Sequence, residues 1–160
     1  MYLAARAFGA SRMVALFAGA AYLLSANLVS LVWGGQDGKM YVTALFPAAL
    51  WLLVTALERH SWVRFLWLGA VAGLMVVAHP QLAYYAYVAL ALYALASLWN
   101  RRHHGGAFLA NGLAGGMVAV VTAAGVAAVV PQFAVLEIMP ERGRYGAKGN
   151  FFPGDLRLIE

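Results

Sequence analysis

Five long apolar stretches, separated by short polar segments, leave this chain few ways to fold. They cover residues 13–33, 40–57, 62–78, 82–99 and 107–130. A helix needs about 20 apolar residues to cross the hydrocarbon core of a bilayer, within a range of roughly 17–25. Strands of a membrane barrel would be about half as long and would alternate apolar with polar residues. These stretches do not alternate, so the sequence predicts five transmembrane helices.

The composition excludes most soluble classes of protein. Hydrophobic residues make up 64% of the 160 residues and charged residues only 11%. A globule of this length could not hide so much apolar surface from water, which argues against a soluble enzyme, a nucleic-acid-binding module or a disordered chain. The net charge of +5 is interpreted as a membrane-topology signal, and no nucleic-acid partner is predicted. The chain has no cysteine, so neither a disulfide nor a cysteine-ligated metal site can form.

Short connections set the expected architecture. The segments between the apolar stretches are residues 34–39, 58–61, 79–81 and 100–106, and short loops make neighbouring helices antiparallel. Pro131 is expected to end the fifth helix. The predicted fold is therefore an all-α membrane protein, a bundle of five transmembrane helices joined by short loops, with a polar C-terminal tail. Residues 1–12 form the N-terminus, 13–130 the membrane domain and 131–160 the tail.

The distribution of basic residues predicts the orientation. Six Lys and Arg residues lie on one side of the predicted bundle, namely Arg6, Arg12, Arg59, Arg64, Arg101 and Arg102. The short loops of the other side contain only Lys39. Cytoplasmic segments are enriched in Lys and Arg, so we expect residues 1–12 in the cytoplasm and the tail 131–160 at the outer face.

The first outer loop holds one acid and one cation. Asp37 lies among glycines in residues 34–39, where a tight turn and close backbone approach are possible. Its carboxylate is a candidate base for a sugar hydroxyl, or a candidate metal ligand. The alternative is a turn residue that caps the following helix. Lys39 is the only Lys or Arg in the short loops of this side, and a cation at headgroup depth can bind an anionic group.

The third loop, His79-Pro80-Gln81, lies on the same predicted side. Proline suits the first turn of a helix, and the residue before it is pushed towards extended backbone. His79 could act as a proton donor or metal ligand, or simply shape the turn. We expect the polar residues of both loops to converge at one surface pocket, with an aromatic ring beside them. These residues are Asp37, Lys39, His79 and Gln81, with Tyr84 or Tyr85.

Two small-residue patterns concern packing. Gly69 and Gly73 are four residues apart, as are Gly112 and Gly116. Glycines at this spacing let two helices approach closely in lipid. We expect both pairs, including Gly116, to be buried against neighbouring helices.

Two motifs carry a resemblance to a known family. Residues 35–47, GQDGKMYVTALFP, resemble the GHDxK…LxP stretch of YfhO-like bacterial membrane proteins, with Gln36 where relatives often have His. Residues 79–85, HPQLAYY, resemble their HPQxxYY turn, and residues 139–153 are loosely similar to the segment after their next spans. The resemblance implies a GT-C-type glycosyltransferase fold. It also implies transfer of a sugar from a polyprenyl-phosphate carrier to a cell-envelope polymer at the outer face of the bacterial cytoplasmic membrane.

The resemblance also bears on the site. The catalytic acid of GT-C enzymes lies in an earlier outer loop, so this chain resembles an internal piece or a truncated relative, and whether it is an enzyme stays open. Asp37 and His79 are catalytic candidates. Lys39, Gln81, Tyr84 and Tyr85 are the expected substrate-binding residues. No cofactor is predicted; a divalent metal is compatible with these residues, but nothing requires one.

A second function also fits the sequence. Compact spans with glycine stripes and no self-contained active site are typical of a non-catalytic transmembrane accessory subunit that packs against a larger membrane complex. The expected partners are therefore the lipid bilayer, a polyprenyl-phosphate-sugar, and either other membrane subunits or the remainder of a longer chain.

Overall fold

The structure, a computed structural model, is entirely helical over the residues that it describes. It describes residues 1–25, 37–101 and 106–146, with only the backbone at 37, 107 and 131–146. The helices are α1 (Tyr2–Ala7), α2 (Arg12–Leu23), α3 (Asp37–Arg59), α4 (Trp62–Ala78), α5 (Pro80–Asn100) and α6 (Gly106–Gly146). The predicted all-α class is confirmed.

Within the described residues, three segments are long and apolar enough to cross a membrane. They are Gly38–Arg59 in α3, Pro80–Asn100 in α5 and Phe108–Val130 in α6, which correspond to the second, fourth and fifth predicted spans. Helix α4 has the predicted bounds but only 17 residues, or about 26 Å of helix. The first predicted span is described only as the 12 residues of α2, since residues 26–33 lie outside the described residues.

Helix α3 lies at the centre of the bundle. It packs against α1, α4 and α5. Half of the residues in its most apolar stretch are buried (50%), against 11% in α5 and 11% in α6. The core consists of side chains from α3, α4 and α5 with one from α6: Val42, Ala49, Leu52, Leu53, Ala56, Leu57, Phe65, Leu68, Met75, Ala83, Leu90 and Ala119. The exposed apolar sides of α5 and α6 have the character of lipid-facing surface.

Helix α1 joins this bundle through its small residues. Ala4 and Ala5 are buried, and α1 packs on both α2 and α3. The side chain of Phe8, which follows α1, meets Tyr93 of α5 edge-on at 5.5 Å between ring centroids. The first residues of the chain are therefore packed on the membrane helices; their cytoplasmic orientation stays a prediction.

Two short turns reverse the chain around α4. His60 adopts a left-handed φ of 50° between α3 and α4. His79 alone connects α4 to α5, with extended backbone at φ −162° and ψ 96°, as predicted for a residue before proline. We call the end of the bundle with the α4–α5 turn and the start of α3 the His79 end. The opposite end is the His60 end.

One glycine pair packs as predicted and the other only in part. A Cβ atom at Gly69 or Gly73 would lie 2.6 Å from a side chain of α6, Thr122 and Val126 respectively. A Cβ at Gly112 would lie 2.7 Å from Leu98. Gly116, however, has nothing within 4 Å of its Cβ position, so its predicted burial is wrong. Gly115 takes that place because the ring of Phe65 lies against it.

The expectation that Pro131 ends the fifth helix is also wrong. Helix α6 begins at Gly106 and continues to Gly146, although its apolar part does end at Val130. A proline removes one backbone donor and disturbs the preceding turn, but a helix can continue beyond it. The chain divides into two compact units, Met1–Ala127 and Ala128–Glu160, and all the packing described here belongs to the first.

Candidate functional site

The two sequence motifs meet at the His79 end through a glycine. A Cβ atom at Gly38 would collide with the carbonyl oxygen of Ala78 and would lie 3.6 Å from the Cβ of His79. The start of α3 is thus pressed against the α4–α5 turn at a distance that only glycine permits. Asp37 and Lys39, on either side of Gly38, are therefore placed beside His79 along the backbone. The side chain of Asp37 and all of Gln36 lie outside the described residues.

His79 has a defined structural task at this junction. Its Nδ1 accepts a hydrogen bond from the backbone N–H of Leu82 at 3.2 Å, which caps the N-terminus of α5. Pro80 occupies the first turn, where its missing N–H costs nothing. The imidazole is half-buried, so it is held in place by the turn that it shapes.

Two hydrogen bonds to backbone carbonyls follow along α3, one within the helix and one from α2. The hydroxyl of Thr43 donates to the carbonyl of Lys39 at 2.9 Å. The phenol of Tyr22, on α2, donates to the carbonyl of Thr43 at 2.5 Å. Tyr22 was not expected at the site because the sequence places it inside a longer apolar run with no distinguishing pattern.

An apolar groove of about 260 Å³ lies between α2, α3 and α5. Its walls are Tyr22, Val42, Thr43, Phe46, Leu82, Tyr85, Ala86 and Ala89. Val42 and Phe46 are four residues apart, as are Tyr85 and Ala89, so each pair lies on one helix face. The groove therefore runs for about one turn along α3 and for about two turns along α5. Its first α5 residue is Leu82, whose backbone N–H donates to His79.

The remaining predicted substrate-binding residues lie around this groove. Tyr85 lines it, and Tyr84 meets Tyr85 edge-on at 5.7 Å between ring centroids. Both rings are more than half exposed. Gln81 is exposed in the first turn of α5, and Lys39 is half-buried on α3. The structure brings these elements together, while the substrate-binding roles of the residues stay predictions.

The His60 end holds a different set of interactions. A guanidinium nitrogen of Arg101 lies 3.9 Å from a carboxylate oxygen of Glu58. His60 and Phe108 pack edge to face at 5.1 Å. Arg64 donates to the carbonyl of Thr55 at 3.1 Å. These contacts join helix ends at the His60 end. The groove and the motif residues lie towards the opposite, His79 end.

Among the described residues there is no group of three or more His, Asp or Glu side chains placed to hold a metal ion. The described side chains at the His79 end offer a cation (Lys39), an imidazole (His79) and an amide (Gln81) beside an apolar groove. Such a combination suits an amphipathic ligand with an anionic head.

A comparison with protein families identifies the chain. The model of the family described as dolichyl-phosphate-mannose-protein mannosyltransferase matches residues 1–125, which include both motifs and the groove. No curated protein and no solved structure matches the chain significantly. The match supports the expected GT-C type of glycosyltransferase and not specifically the YfhO-like branch. This multi-pass membrane chain therefore belongs to the dolichyl-phosphate-mannose-protein mannosyltransferase family of the GT-C superfamily.

Proposed function

We propose that this chain is the membrane portion of a glycosyltransferase that takes its sugar from a polyprenyl-phosphate carrier at the His79 end. The observation that carries the proposal is the contact of Gly38 with the α4–α5 turn, next to the apolar groove. It places a cation-bearing segment beside a surface suited to a hydrocarbon chain. The family match supports a donor of this class.

The carrier has two parts with different requirements. Its isoprenoid chain is apolar and is best placed along the groove walls, such as Phe46, Leu82 and Ala86. Its phosphate is anionic and requires a cation at headgroup depth, which Lys39 supplies as a point charge. Lys39 precedes Val42 and Thr43 of the groove by about one helical turn, so one ligand can contact both.

The proposed chemistry is a displacement at the anomeric carbon. An acceptor hydroxyl loses its proton to a base, its oxygen attacks the sugar, and the bond to the carrier phosphate breaks. The phosphate leaves with additional negative charge, which Lys39 stabilises electrostatically. Asp37 is our candidate for the base. The alternative is that Asp37 only stabilises the start of α3, since a carboxylate is favourable in the first turn of a helix.

The charge distribution supports an outward position of the site. Arg59, Arg64 and Arg101 belong to the His60 end, while Lys39 belongs to the His79 end. By the preference of basic residues for the cytoplasm, the His79 end faces outwards, and we propose the bacterial cytoplasmic membrane as the location. Membership of the YfhO-like branch, with a cell-envelope polymer as acceptor, is part of the proposal and is supported by the two motifs.

Binding of a carrier lipid tests the proposal. The purified chain in lipid nanodiscs is titrated with decaprenyl phosphate and, separately, with decaprenol, and binding is followed by native mass spectrometry. We expect a preference for the phosphate. Lys39→Gln should lower affinity for decaprenyl phosphate about tenfold, as expected for loss of one charge-assisted contact, and leave decaprenol unaffected.

Arg59→Gln is the matched control, because Arg59 is an exposed cation at the opposite end and its loss should change neither affinity. Equal binding of both lipids by the unmodified chain would contradict the proposal. Such a result, together with stable copurification of other membrane proteins, would favour the accessory-subunit function.

A further inference from the structure

The two ring nitrogens of His79 have different roles in the structure. Nδ1 accepts the hydrogen bond from the Leu82 amide at 3.2 Å. An accepting ring nitrogen carries no proton, so a neutral imidazole in this arrangement has its proton on Nε2. Nε2–H is therefore a hydrogen-bond donor, separate from the nitrogen that caps α5.

The position of this donor matters because it lies at the junction of both motifs. The Cβ of His79 is close to Gly38, the residue immediately before Lys39. Within the described part of the chain, Nδ1 has a backbone partner and Nε2 has none. The half-buried ring is held in place by its hydrogen bond to the Leu82 amide. A ligand that binds Nε2–H therefore does not have to supply the free energy of ordering the ring.

We propose that His79 is a donor-binding residue: Nδ1 caps α5, and Nε2–H donates to a phosphate oxygen of the lipid carrier beside Lys39. This inference rests on the proposed function. It assigns His79 the opposite role from a general base, which would need an unprotonated Nε2. Protonation of both nitrogens would place two donors, Nδ1–H and the Leu82 amide, against each other and remove the cap.

Two substitutions separate the roles of the two nitrogens. In His79→Asn the side-chain oxygen takes the place of Nδ1, and Asn is among the best helix caps, but the donor at the Nε2 position is lost. In His79→Gln the longer amide reaches the Nε2 position, while the cap is lost. The pair therefore distinguishes binding by Nε2 from stabilisation by Nδ1.

The measurement uses the chain in nanodiscs with decaprenyl phosphate and decaprenol as probes. We expect His79→Asn to unfold near the temperature of the unmodified chain and to bind decaprenyl phosphate about tenfold more weakly, with decaprenol binding unchanged. His79→Gln should be less stable but should keep more of its affinity for the phosphate than His79→Asn does. ¹⁵N NMR of the imidazoles should show His79 protonated at Nε2, with His79→Asn used to assign its signals.

The outcomes separate this inference from the proposed function. If the unmodified chain prefers the phosphate and His79→Asn binds it equally well, the role of Nε2–H is refuted and the proposed function survives. An equal loss of affinity for both lipids would make His79 purely structural and refute the inference. A proton at Nδ1 in the NMR spectra would also refute it. If the unmodified chain shows no preference for the phosphate, both proposals fall.

Discussion

Gly38 is the residue on which the geometry of the candidate site depends most directly. Its missing side chain lets the start of α3 touch the backbone of the α4–α5 turn. Any other residue would place a Cβ atom where the Ala78 carbonyl oxygen lies, and neither backbone can yield without moving a helix end. The contact therefore determines how close Lys39 comes to His79.

We predict that Gly38→Ala separates the two motifs. The overlap should lower the free energy of unfolding by about 1–3 kcal/mol, the usual cost of overpacking, and should weaken binding of decaprenyl phosphate. Chemical denaturation in detergent and the lipid titration measure the two effects. Gly125→Ala is the control, because nothing lies within 4 Å of its Cβ position. A fully stable Gly38→Ala variant with unchanged binding would show that the contact does not position the site.

At the scale of elements, α4 is held between α3 and α6. Its residues Phe65, Leu68 and Met75 belong to the core, while Gly69 and Gly73 let α6 approach the backbone. Because α4 ends at Ala78, the packing of this helix determines where the His79 turn lies. A change in the α4–α6 seam should therefore affect both stability and the site.

We predict opposite outcomes for two glycines that appear equivalent in the sequence. Gly73→Ala places a Cβ 2.7 Å from the Ala123 carbonyl oxygen and should destabilise the chain by about 1–3 kcal/mol. Gly116→Ala meets open space and should be neutral or stabilising by up to about 1 kcal/mol, since alanine favours helices. Thermal unfolding in detergent measures both. Equal destabilisation by the two changes would argue against the described seam.

At the scale of the whole molecule, the bundle separates two kinds of surface. Exposed apolar side chains such as Leu92, Leu95 and Val121 cover the sides of α5 and α6, as expected for contact with lipid. The polar groups gather at the two ends, with Glu58 and Arg101 at one and Lys39 and His79 at the other. The function that we propose requires the His79 end to face outwards.

The absence of cysteine in the sequence allows a direct test of orientation. Gln81→Cys and Arg59→Cys each introduce one exposed thiol, at the His79 end and the His60 end respectively. In intact cells, a membrane-impermeant maleimide should label Gln81→Cys, whereas Arg59→Cys should react only after permeabilisation. The reverse labelling pattern would contradict the predicted orientation and place the candidate site in the cytoplasm.

The helical class, most of the helix bounds and the turn at His79 could be predicted from the sequence alone. The apolar runs have the length and uniformity that only a helix satisfies in lipid, and Pro80 restricts the residue before it. The central part of α3 and the bounds of α4 follow from such local rules. The sequence also indicated which loops share one end of the bundle, because short connections force neighbouring helices to alternate in direction.

The faces through which these helices meet could be read only from the folded chain. Gly112 and Gly116 form the same pattern in the sequence, yet only Gly112 is packed, because the rotation of α6 about its axis depends on Phe65 and Leu98 of other helices. Tyr22 lines the groove because of the rotation of α2, which the sequence likewise does not indicate. Pro131 is a separate case: proline usually interrupts a helix, yet α6 continues beyond it. Residues nearly uniform in polarity carry no signal for rotation about the helix axis, so long-range packing sets it.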